Sequence, residues 1–373
     1  MRVLMLSRED VFNVPGGDTI QMMQTKKSLE KLGVEIQTDT LRNKLEFKGF
    51  DIIHIFNWEQ LDPFLNTQEW VPDKDPPITL STIFWFHTGH WFDQAVATRR
   101  GWETLAKGFS AARSRKIYED WQLAKFRWGS QGRTLHRSIS VPARLLPNSK
   151  IEISHLESVL GLRGKLEPRC SVVPNGVVRE LYDPLPSPNQ AFLEQYRIKE
   201  FVIQVGRIQA AKNQIGLMDA LFDLSIPIVF IGQPSPYEPE YVQRCSDIAK
   251  KRGNVYFLGP KSAEDLAGIY ALASVHVLPS WRETPGLVSL EAAAAGCRVV
   301  STSIGSAREY LGNDACYCDP KDRDSIRRAV LDALNSPPSS QLRIRVLEQY
   351  TWEAAARTTL EVYRQVLNNK IAH

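Results

Sequence analysis

The fold is decided by the stretch from Val275 to Glu291, which reads VHVLPSWRETPGLVSLE. Its first residues predict a short buried strand, and the polar loop after them leads to Gly286, which opens an alanine-rich helix running to about Ala295. A strand that passes through a short loop into a helix is the repeating unit of an open parallel sheet. Ligands of such sheets bind beyond the carboxyl ends of the strands, so this loop is a candidate binding segment.

The same alternation of strands and helices continues on both sides of this stretch. Near the N-terminus, a Pro-Gly-Gly turn leads into a predicted helix whose apolar positions are Ile20, Met23, Leu29 and Leu32, closed by Gly33 as a left-handed cap. Further strands are predicted at residues 3–6, 34–36, 51–56, 78–84, 201–205, 228–231, 255–258 and 298–301. We therefore expect an α/β protein with two doubly wound domains, and we expect the ligand in a cleft between them.

Domain boundaries are suggested by a stretch rich in proline, serine and asparagine at residues 183–189. We place the N-terminal domain at residues 1–180, a linker at 181–198 and the C-terminal domain at 199–351. A length of 373 residues suits two domains of ordinary size.

The composition excludes several classes of protein. With 43% hydrophobic and 24% charged residues, the chain is typical of a soluble globular protein. We find neither a run of roughly 20 apolar residues nor an N-terminal apolar stretch long enough for a signal peptide. Five cysteines without a Cys-x-x-Cys pair favour a reducing cytoplasm over a disulfide framework or a structural zinc site. A net charge of +4 does not by itself imply nucleic acid.

A loop with two cations follows the predicted strand at residues 201–205. Gly206 makes a tight turn, and Arg207 and Lys212 stand five residues apart. A guanidinium offers a planar fork and an ammonium a point charge, and both suit phosphate oxygens. A solvated loop with two surface cations is the alternative interpretation.

Two carboxylates eight residues apart belong to the deciding stretch, Glu283 in the loop and Glu291 in the helix. The amides at the N-terminus of that helix provide an anion site, and a carboxylate accepts hydrogen bonds from vicinal hydroxyl groups. The alternative is that Glu283 caps the helix and Glu291 lies on the surface. Because Glu291 stands in an apolar run, we expect it to be buried and paired.

These motifs together resemble the retaining glycosyltransferases of family 4, which have the GT-B fold. The resemblance rests on the two spaced glutamates, on the Gly-Arg…Lys-Asn loop and on the PNGV sequence at 174–177. Further matching stretches are FLGP at 257–260, SLEAAAAG at 289–296, IGSARE at 304–309, PGGDTIQ at 15–21 and LPNS at 146–149. The resemblance implies two facing Rossmann-like domains with a central cleft, and a C-terminal helix at 352–373 that packs back onto the first domain.

The resemblance also implies a role for each matching residue in binding a nucleotide-sugar donor. Arg207 and Lys212 would neutralise the diphosphate leaving group, Glu291 would hold the ribose and Glu283 would face the sugar hydroxyls. Backbone groups near Leu258 would contact the base. The remaining members of the implied donor site are Gly206, Gly286, Leu287 and Val288, with Gly16 and Gly17 approaching the phosphates unless they form an ordinary turn.

By the same resemblance, transfer to a hydroxyl acceptor is retaining, with the departing phosphate oxygen accepting the acceptor's proton. No Asp-x-Asp pair stands at a strand end, and Asp319, Asp322 and Asp324 lie in a charged turn. We therefore predict transfer without a metal ion or another cofactor. The sequence leaves open the donor's base and sugar, and also the acceptor, which could be a polysaccharide, a lipid-linked oligosaccharide or a small metabolite.

One departure from the family pattern concerns a histidine near the transferred sugar. Relatives have Thr-x-His after the fourth strand, whereas this chain has Thr82, Ile83 and Phe84. His87 is the candidate for the sugar contact, with His90 as its alternative, and packing among aromatic residues is the other interpretation. A second departure is Thr-Pro-Gly at 284–286 in place of Glu-Phe-Gly, which we expect to be tolerated because backbone groups matter most there.

Residues 99–144 hold eleven Arg or Lys and three acidic residues, a balance of 11 − 3 = +8, and tryptophans are frequent nearby. Basic residues with interleaved aromatics can dock a domain on an anionic membrane surface, where a lipid-linked acceptor would lie. A solvated pair of basic helices is an alternative. Single-stranded nucleic acid is another, but we find no known RNA-binding module and predict no nucleic-acid partner.

Other functions are compatible with a two-domain fold of this kind. A sugar-nucleotide epimerase would share the fold, although the spaced glutamates with Gly-Arg…Lys resemble transferases more closely. A phosphorylase would need a lysine for pyridoxal phosphate, for which we find no motif. A catalytically silent scaffold that binds nucleotide-sugars is the alternative from a different class.

Overall fold

The computed structural model describes residues 1–42, 44–86, 110–198 and 200–371, which belong to two compact units. The first unit consists of Met1–Asn175 together with Trp352–His373, and the second consists of Gly176–Thr351. This division differs from the predicted boundary after residue 180 and from the predicted linker at 181–198. Tyr182 and Phe192 are buried in the core of the second unit, so this stretch packs as part of that unit despite its prolines.

The first unit has a five-stranded sheet in the order β2-β1-β3-β4-β5, in which every strand pair is parallel. Its strands are β1 (Arg2–Ser7), β2 (Glu35–Thr40), β3 (Ile52–Phe56), β4 (Ile78–Ser81) and β5 (Arg144–Leu145). All positions of β3 and β4 are buried, as expected for strands covered on both faces. β4 ends three residues before the predicted end at Phe84, and Ile83 beyond it has a φ of 46°.

Helices that belong to the first unit include α1 (Gly17–Lys31), α2 (Leu61–Thr67), α3 (Ala111–Trp128), α4 (Ser130–Ser138) and α5 (Lys150–Leu160). Gly33 has a φ of 82° just beyond the end of α1, which confirms the predicted left-handed cap. Of the apolar positions singled out in the sequence here, Leu29 is buried, whereas Ile20, Met23 and Leu32 are exposed. Gln21 is among the residues buried instead.

The second unit has a six-stranded sheet in the order β11-β10-β9-β6-β7-β8, again with parallel pairs throughout. Its strands are β6 (Val202–Val205), β7 (Ile228–Ile231), β8 (Val255–Leu258), β9 (Val275–Leu278), β10 (Arg298–Thr302) and β11 (Cys316–Cys318). Its helices are α6 (Gln190–Tyr196), α7 (Gln214–Ala220), α8 (Pro239–Arg252), α9 (Ala263–Tyr270), α10 (Leu287–Ala294), α11 (Ala307–Leu311), α12 (Arg323–Asn335) and α13 (Ser340–Gln349). This alternation is the doubly wound arrangement that the sequence predicts.

The last helix, α14 (Trp352–Ile371), packs against α1 and completes the core of the first unit. A buried histidine links it to the sheet: His54 Nδ1 lies 2.6 Å from the Tyr363 hydroxyl, and His54 Nε2 lies 2.9 Å from Ser81 Oγ. Both ring nitrogens are therefore satisfied inside the protein. Burial lowers the pKa of His54 to about 3, so the ring is neutral at physiological pH.

We expect His54 to make the stability of the first unit depend on pH. The unfolded chain binds a proton near the ordinary pKa of 6.5, whereas the folded ring stays neutral down to about 3. The stabilisation is therefore complete above that ordinary pKa and declines by about 1.4 kcal/mol per pH unit as the pH falls below it.

Thermal unfolding of the wild type and His54→Asn between pH 8 and pH 5 measures this effect. The variant is expected to be less stable at pH 8 but to lose less of its stability on acidification. Equal losses in the two proteins would contradict the assignment.

Candidate active site

The loop after β6 carries the two predicted phosphate-binding cations. Gly206, with a φ of 143°, turns the chain out of the sheet, and Arg207 follows it half-buried. Hydrogen bonds hold the loop from both sides: Gln204 Nε2 donates to the Lys212 carbonyl at 2.7 Å, and Gln214 Nε2 donates to the Arg207 carbonyl at 2.9 Å. The backbone that presents both cations is thus fixed by buried amide side chains.

This loop is bonded to the loop after β9, which carries the first glutamate. Asn213 Nδ2 donates to the Pro279 carbonyl at 3.1 Å, and the Trp281 amide donates to the Ala211 carbonyl at 3.0 Å. As a result, Lys212 Nζ lies 2.6 Å from Glu283 Oε1 in an ion pair. The Glu283 side chain is 8% exposed and that of Lys212 is 26% exposed, so one side of the pair faces solvent. The sequence predicted both residues but not their contact.

Glu283 is held in place by the loop after β10. Its amide donates to the Ile304 carbonyl at 3.2 Å, and its carbonyl accepts from the Ser306 amide at 2.9 Å. Gly305 lies between these partners with a φ of 119°, and a Cβ atom on it would stand 1.9 Å from the Glu283 carbonyl oxygen. Only glycine allows this close approach, a requirement that the sequence motifs did not single out.

α10 begins at the end of the deciding stretch, as predicted. Gly286 precedes it with a φ of 71°, and Leu287 and Val288 are in its first turn, whose amides have no acceptor within a helix. Ser289 Oγ lies 3.1 Å from Nε2 of the buried His276. Burial and, to a lesser degree, the charge of Lys212 lower the pKa of His276 to about 3, which keeps this ring neutral.

The second predicted glutamate, Glu291, lies further along α10 and is half-buried, which disfavours the surface alternative. Burial raises the pKa of its carboxyl group to about 7, and the nearby Tyr270 hydroxyl acts in the opposite direction. A carboxylate in such surroundings gains from any further hydrogen-bond donor, including a hydroxyl group of a ligand.

The predicted donor residues of the second unit share one edge of its sheet. Gly206 follows β6, Leu258 ends β8 with its carbonyl accepting from the Gly232 amide at 3.0 Å, and the segment with Glu283 and Gly286 follows β9. The carboxyl edge of a doubly wound sheet is where such proteins bind their ligands. This edge is therefore the candidate active site.

In the first unit, the predicted Pro-Gly-Gly turn forms the N-terminus of α1. Gly16 caps the helix, and its amide donates to Thr19 Oγ1 at 3.0 Å. A Cβ atom on Gly16 would stand 2.8 Å from Asp18 Oδ1, whereas one on Gly17 would meet nothing within 4 Å. Arg8 braces the turn, with Nε donating to Asp18 Oδ2 at 2.7 Å.

Three of the short motifs that carry the family resemblance meet through a buried cluster of amide side chains in the first unit. They are the motifs at 15–21, 146–149 and 174–177. Gln21 Nε2 donates to Asn148 Oδ1 at 3.0 Å, and Asn175 Nδ2 donates to Gln21 Oε1 at 3.1 Å. Glu152, which is fully buried, accepts the Asn148 amide at 2.8 Å. This cluster holds two segments against α1, the loop that follows β5 and the stretch that precedes the second unit.

Glu152 also holds the segment in which relatives have their histidine. Its carboxylate accepts from the Thr82 hydroxyl and, at 2.8 Å, from the Phe84 amide. Phe84, at the position of that histidine, is buried in the core of the unit. His87 and His90 lie outside the described residues.

Within the part of the chain that the structure describes, no three His, Cys, Asp or Glu side chains come together as metal ligands. Asp319, Asp322 and Asp324 are exposed, and the Asp322 side chain caps α12. Among the described helices, none has the length and apolarity that a membrane crossing requires.

Comparison with known protein families identifies the class of the second unit. Residues 189–347 match the model of a family described as glycosyl transferases group 1. The second unit is therefore a group 1 glycosyltransferase domain, which confirms the resemblance inferred from its motifs.

Similar curated proteins carry related names. The chain is 26% identical over 184 residues to O-antigen chain mannosyltransferase B of Escherichia coli, an alignment that covers 46% of this chain and 48% of that protein. It is 29% identical over 249 residues to D-inositol 3-phosphate glycosyltransferase of Frankia alni, covering 62% and 60%. The chain thus spans about half the length of the curated relatives that it matches.

Similar solved structures establish the fold. Sucrose-phosphate synthase from Thermosynechococcus elongatus superposes with a TM-score of 0.71 at 17% identity, covering 99% of this chain and all of that one. The Anabaena protein HepE in complex with UDP and glucose gives a TM-score of 0.69 at 15% identity, covering 98% and 99%. The chain has the GT-B fold, built from two Rossmann-like domains.

We expect Gly305→Ala to be more damaging than an alanine at another left-handed glycine. Gly253 is the matched control, since it has a φ of 69° and an added methyl group would meet nothing within 4 Å. Both variants incur the left-handed penalty of roughly 1–2 kcal/mol, but only Gly305→Ala must also displace the Glu283 backbone.

Chemical denaturation of the two variants measures the difference. Gly305→Ala is expected to lose at least about 1 kcal/mol more in free energy of unfolding than Gly253→Ala. Similar losses would show that the contact with Glu283 is not a tight constraint.

Proposed function

We propose that this protein is a retaining glycosyltransferase that moves a hexose from a nucleotide-diphosphate sugar to a hydroxyl acceptor without a metal ion. One observation carries the proposal. The carboxyl edge of a group 1 glycosyltransferase domain joins Lys212 to Glu283 at 2.6 Å, on a loop that also presents Arg207. In this proposal, the cations that bind the diphosphate and the carboxylate that binds the sugar are adjacent, as transfer from a diphosphate requires.

In the proposed mechanism, the second unit stabilises the leaving group. Arg207 and Lys212 oppose the charge that develops on the diphosphate as the glycosidic bond breaks, and the amides of Leu287 and Val288 add the positive end of α10. These groups take the place of a divalent cation. The departing phosphate oxygen accepts the proton of the acceptor hydroxyl, which attacks from the same face and leaves the anomeric configuration unchanged.

The two glutamates bind the neutral parts of the donor in this proposal. Glu283 accepts hydrogen bonds from sugar hydroxyls, and Glu291 accepts them from the ribose. Glu283 is ion-paired with Lys212, so the residue that binds the sugar and a residue that binds the diphosphate form one rigid group. Recognition of the sugar is thereby linked to recognition of the diphosphate. The names of the relatives, a mannosyltransferase and other glycosyltransferases, support a hexose as the transferred group.

A panel of UDP-, GDP-, ADP- and dTDP-hexoses tests the proposal, with release of the nucleotide as the readout. Activity that persists in EDTA and a product with the donor's anomeric configuration by NMR are the expected results. Binding without turnover of any donor would favour the silent scaffold. Loss of activity in EDTA that Mg²⁺ restores would contradict the metal-independent mechanism.

We expect Arg207→Ala to raise the barrier to transfer by about 2–4 kcal/mol, or roughly 30- to 1000-fold in kcat, because it removes a charge that acts on the leaving group. Arg323→Ala is the control, since Arg323 is an exposed cation of the same unit that donates to the Asp219 carbonyl. Steady-state kinetics of both variants measures the effect. A change in kcat of less than a few-fold for Arg207→Ala would count against its role.

We further propose that the first unit binds an anionic membrane surface, on the cytoplasmic side of the membrane, to reach a lipid-linked or saccharide acceptor. The support comes from α3, on which Trp121 is 40% exposed and Trp128 is 74% exposed. Lys125, between them, lies 5.3 Å from the Trp121 ring. Further exposed basic residues of α3 and α4 are Arg113, Lys116, Arg133 and Arg137. Indole rings insert at the headgroup level and cations bind anionic lipids.

Co-sedimentation with liposomes tests the membrane proposal. We expect the wild type to bind vesicles that contain anionic lipid, with binding that weakens at high salt. The double variant Trp121→Ala/Trp128→Ala should bind at least several-fold more weakly, whereas Tyr237→Ala, which removes a 68% exposed aromatic from the second unit, should bind like the wild type. Equal binding to neutral and anionic vesicles would overturn the proposal.

A further inference from the structure

The segment that follows β4 contains a strained backbone conformation. Ile83 has a φ of 46°, and among the non-glycine residues that the structure describes it is the only β-branched one with a positive φ. A branched side chain crowds its own backbone in this left-handed region, so the conformation is unfavourable. Such a residue persists only where the surrounding structure holds it, and strained residues are frequent at active sites and ligand-binding segments.

The group that holds this segment is the carboxylate of Glu152, in the first turn of α5. Glu152 is fully buried, and one of its oxygens accepts from the Thr82 hydroxyl and, at 2.8 Å, from the Phe84 amide. These two bonds lie on either side of Ile83. The other oxygen accepts from the Asn148 amide at 2.8 Å, in the loop after β5. The cost of burying this carboxylate is therefore offset by donors from two loops at one edge of the sheet.

The backbone of Ile83 itself is left available by these contacts. The Thr82 carbonyl accepts from the Trp58 amide at 3.1 Å, whereas the amide and carbonyl of Ile83 form no hydrogen bond within the residues that the structure describes. Ile83 is half-buried, so part of it is accessible. A backbone donor beside a backbone acceptor suits sugar hydroxyls, each of which can donate and accept. The segment also follows the carboxyl end of a parallel strand, where doubly wound sheets bind ligands.

We propose that residues 82–84 contact a saccharide substrate and that Glu152 is the positioning residue of this segment. The strained conformation at Ile83 directs its amide and carbonyl towards hydroxyl groups of the substrate, and the Glu152 carboxylate keeps the segment in that conformation. Glu152 itself does not touch the substrate. This inference rests on the proposed function, in which a hexose is transferred to a hydroxyl acceptor.

Two substitutions at Thr82 test this inference, with release of nucleotide from the most active donor among UDP-, GDP-, ADP- and dTDP-hexoses as the readout. Thr82→Val keeps the shape of the side chain but loses the hydroxyl that donates to Glu152, so kcat should fall about tenfold or more. Thr82→Ser keeps the hydroxyl and should stay within about threefold of the wild type. In both variants KM for the donor should change by less than about twofold, because the nucleotide is bound by the second unit.

A packing role for Thr82 would give the reverse order of the two variants, because Thr82→Ser removes a buried methyl group and Thr82→Val does not. Thr79→Val is the matched control. Thr79 lies in β4, is fully buried, and has a hydroxyl without a hydrogen-bond partner in the described part of the chain. This variant should release nucleotide like the wild type.

Substitution of the carboxylate itself supplies a second, independent measurement. Glu152→Gln should lower kcat as Thr82→Val does, and combining the two should lower it little further, because both act on one contact. In Glu152→Gln, hydrogen exchange should accelerate at residues 82–86 and stay unchanged in the second unit. This pattern separates a local loosening of the segment from general unfolding.

The outcomes distinguish this inference from the proposed function. If the wild type turns over no donor, the proposed function fails and the inference falls with it. If the wild type is active but Thr82→Val has the same kcat as Thr79→Val, the positioning role alone is overturned. The same conclusion follows if Thr82→Ser is more damaging than Thr82→Val.

Discussion

The candidate site depends on one short contact, the ion pair between Lys212 and Glu283. A carboxylate that is largely removed from water is unfavourable unless a cation and hydrogen bonds compensate it. Lys212 supplies the cation, and the loops after β6, β9 and β10 must keep their relative positions for the contact to form. The pair therefore ties three loops of one sheet edge to a single geometry. Because Lys212 also faces solvent, an anion that arrives there meets a cation already held in place.

The neutral side chains around this pair are as important as the charged ones. His276, buried beneath the start of α10, stays uncharged beside Lys212 and contacts Ser289 in the first helical turn. A charged imidazole at this place would repel the ammonium group. Amide side chains from Gln204 and Gln214 fix the loop backbone without adding charge. The electrostatic field at the sheet edge therefore comes from a few charged residues. That field is effective because the residues are already held in position before a ligand binds.

Much of this architecture could be predicted from the sequence because buried parallel strands and glycine turns have strong local signals. The strands β6, β7 and β9 and the start of α10 follow the prediction closely. The buried face of α1 could not be predicted, since Gln21 is inside for its bonds with Asn148 and Asn175, which are distant in the sequence. The need for glycine at position 305 arises in the same way, from contact with a backbone 22 residues earlier. Local patterns hold no information on such partners.

The hydrogen bond between His54 and Tyr363 has a consequence for the design of chimeras between this protein and its relatives. The polypeptide leaves the first unit at Asn175 and returns to it at Trp352, so the first unit is built from two separate segments of the chain, whereas the second unit is one contiguous segment. A chimera that joins the N-terminal half of this protein to the C-terminal half of a homologue would import a foreign last helix. That helix would have to offer a hydroxyl group where Tyr363 now meets the imidazole. Exchange of Gly176–Thr351 alone keeps both segments of the first unit from one parent, so the core of that unit is left intact.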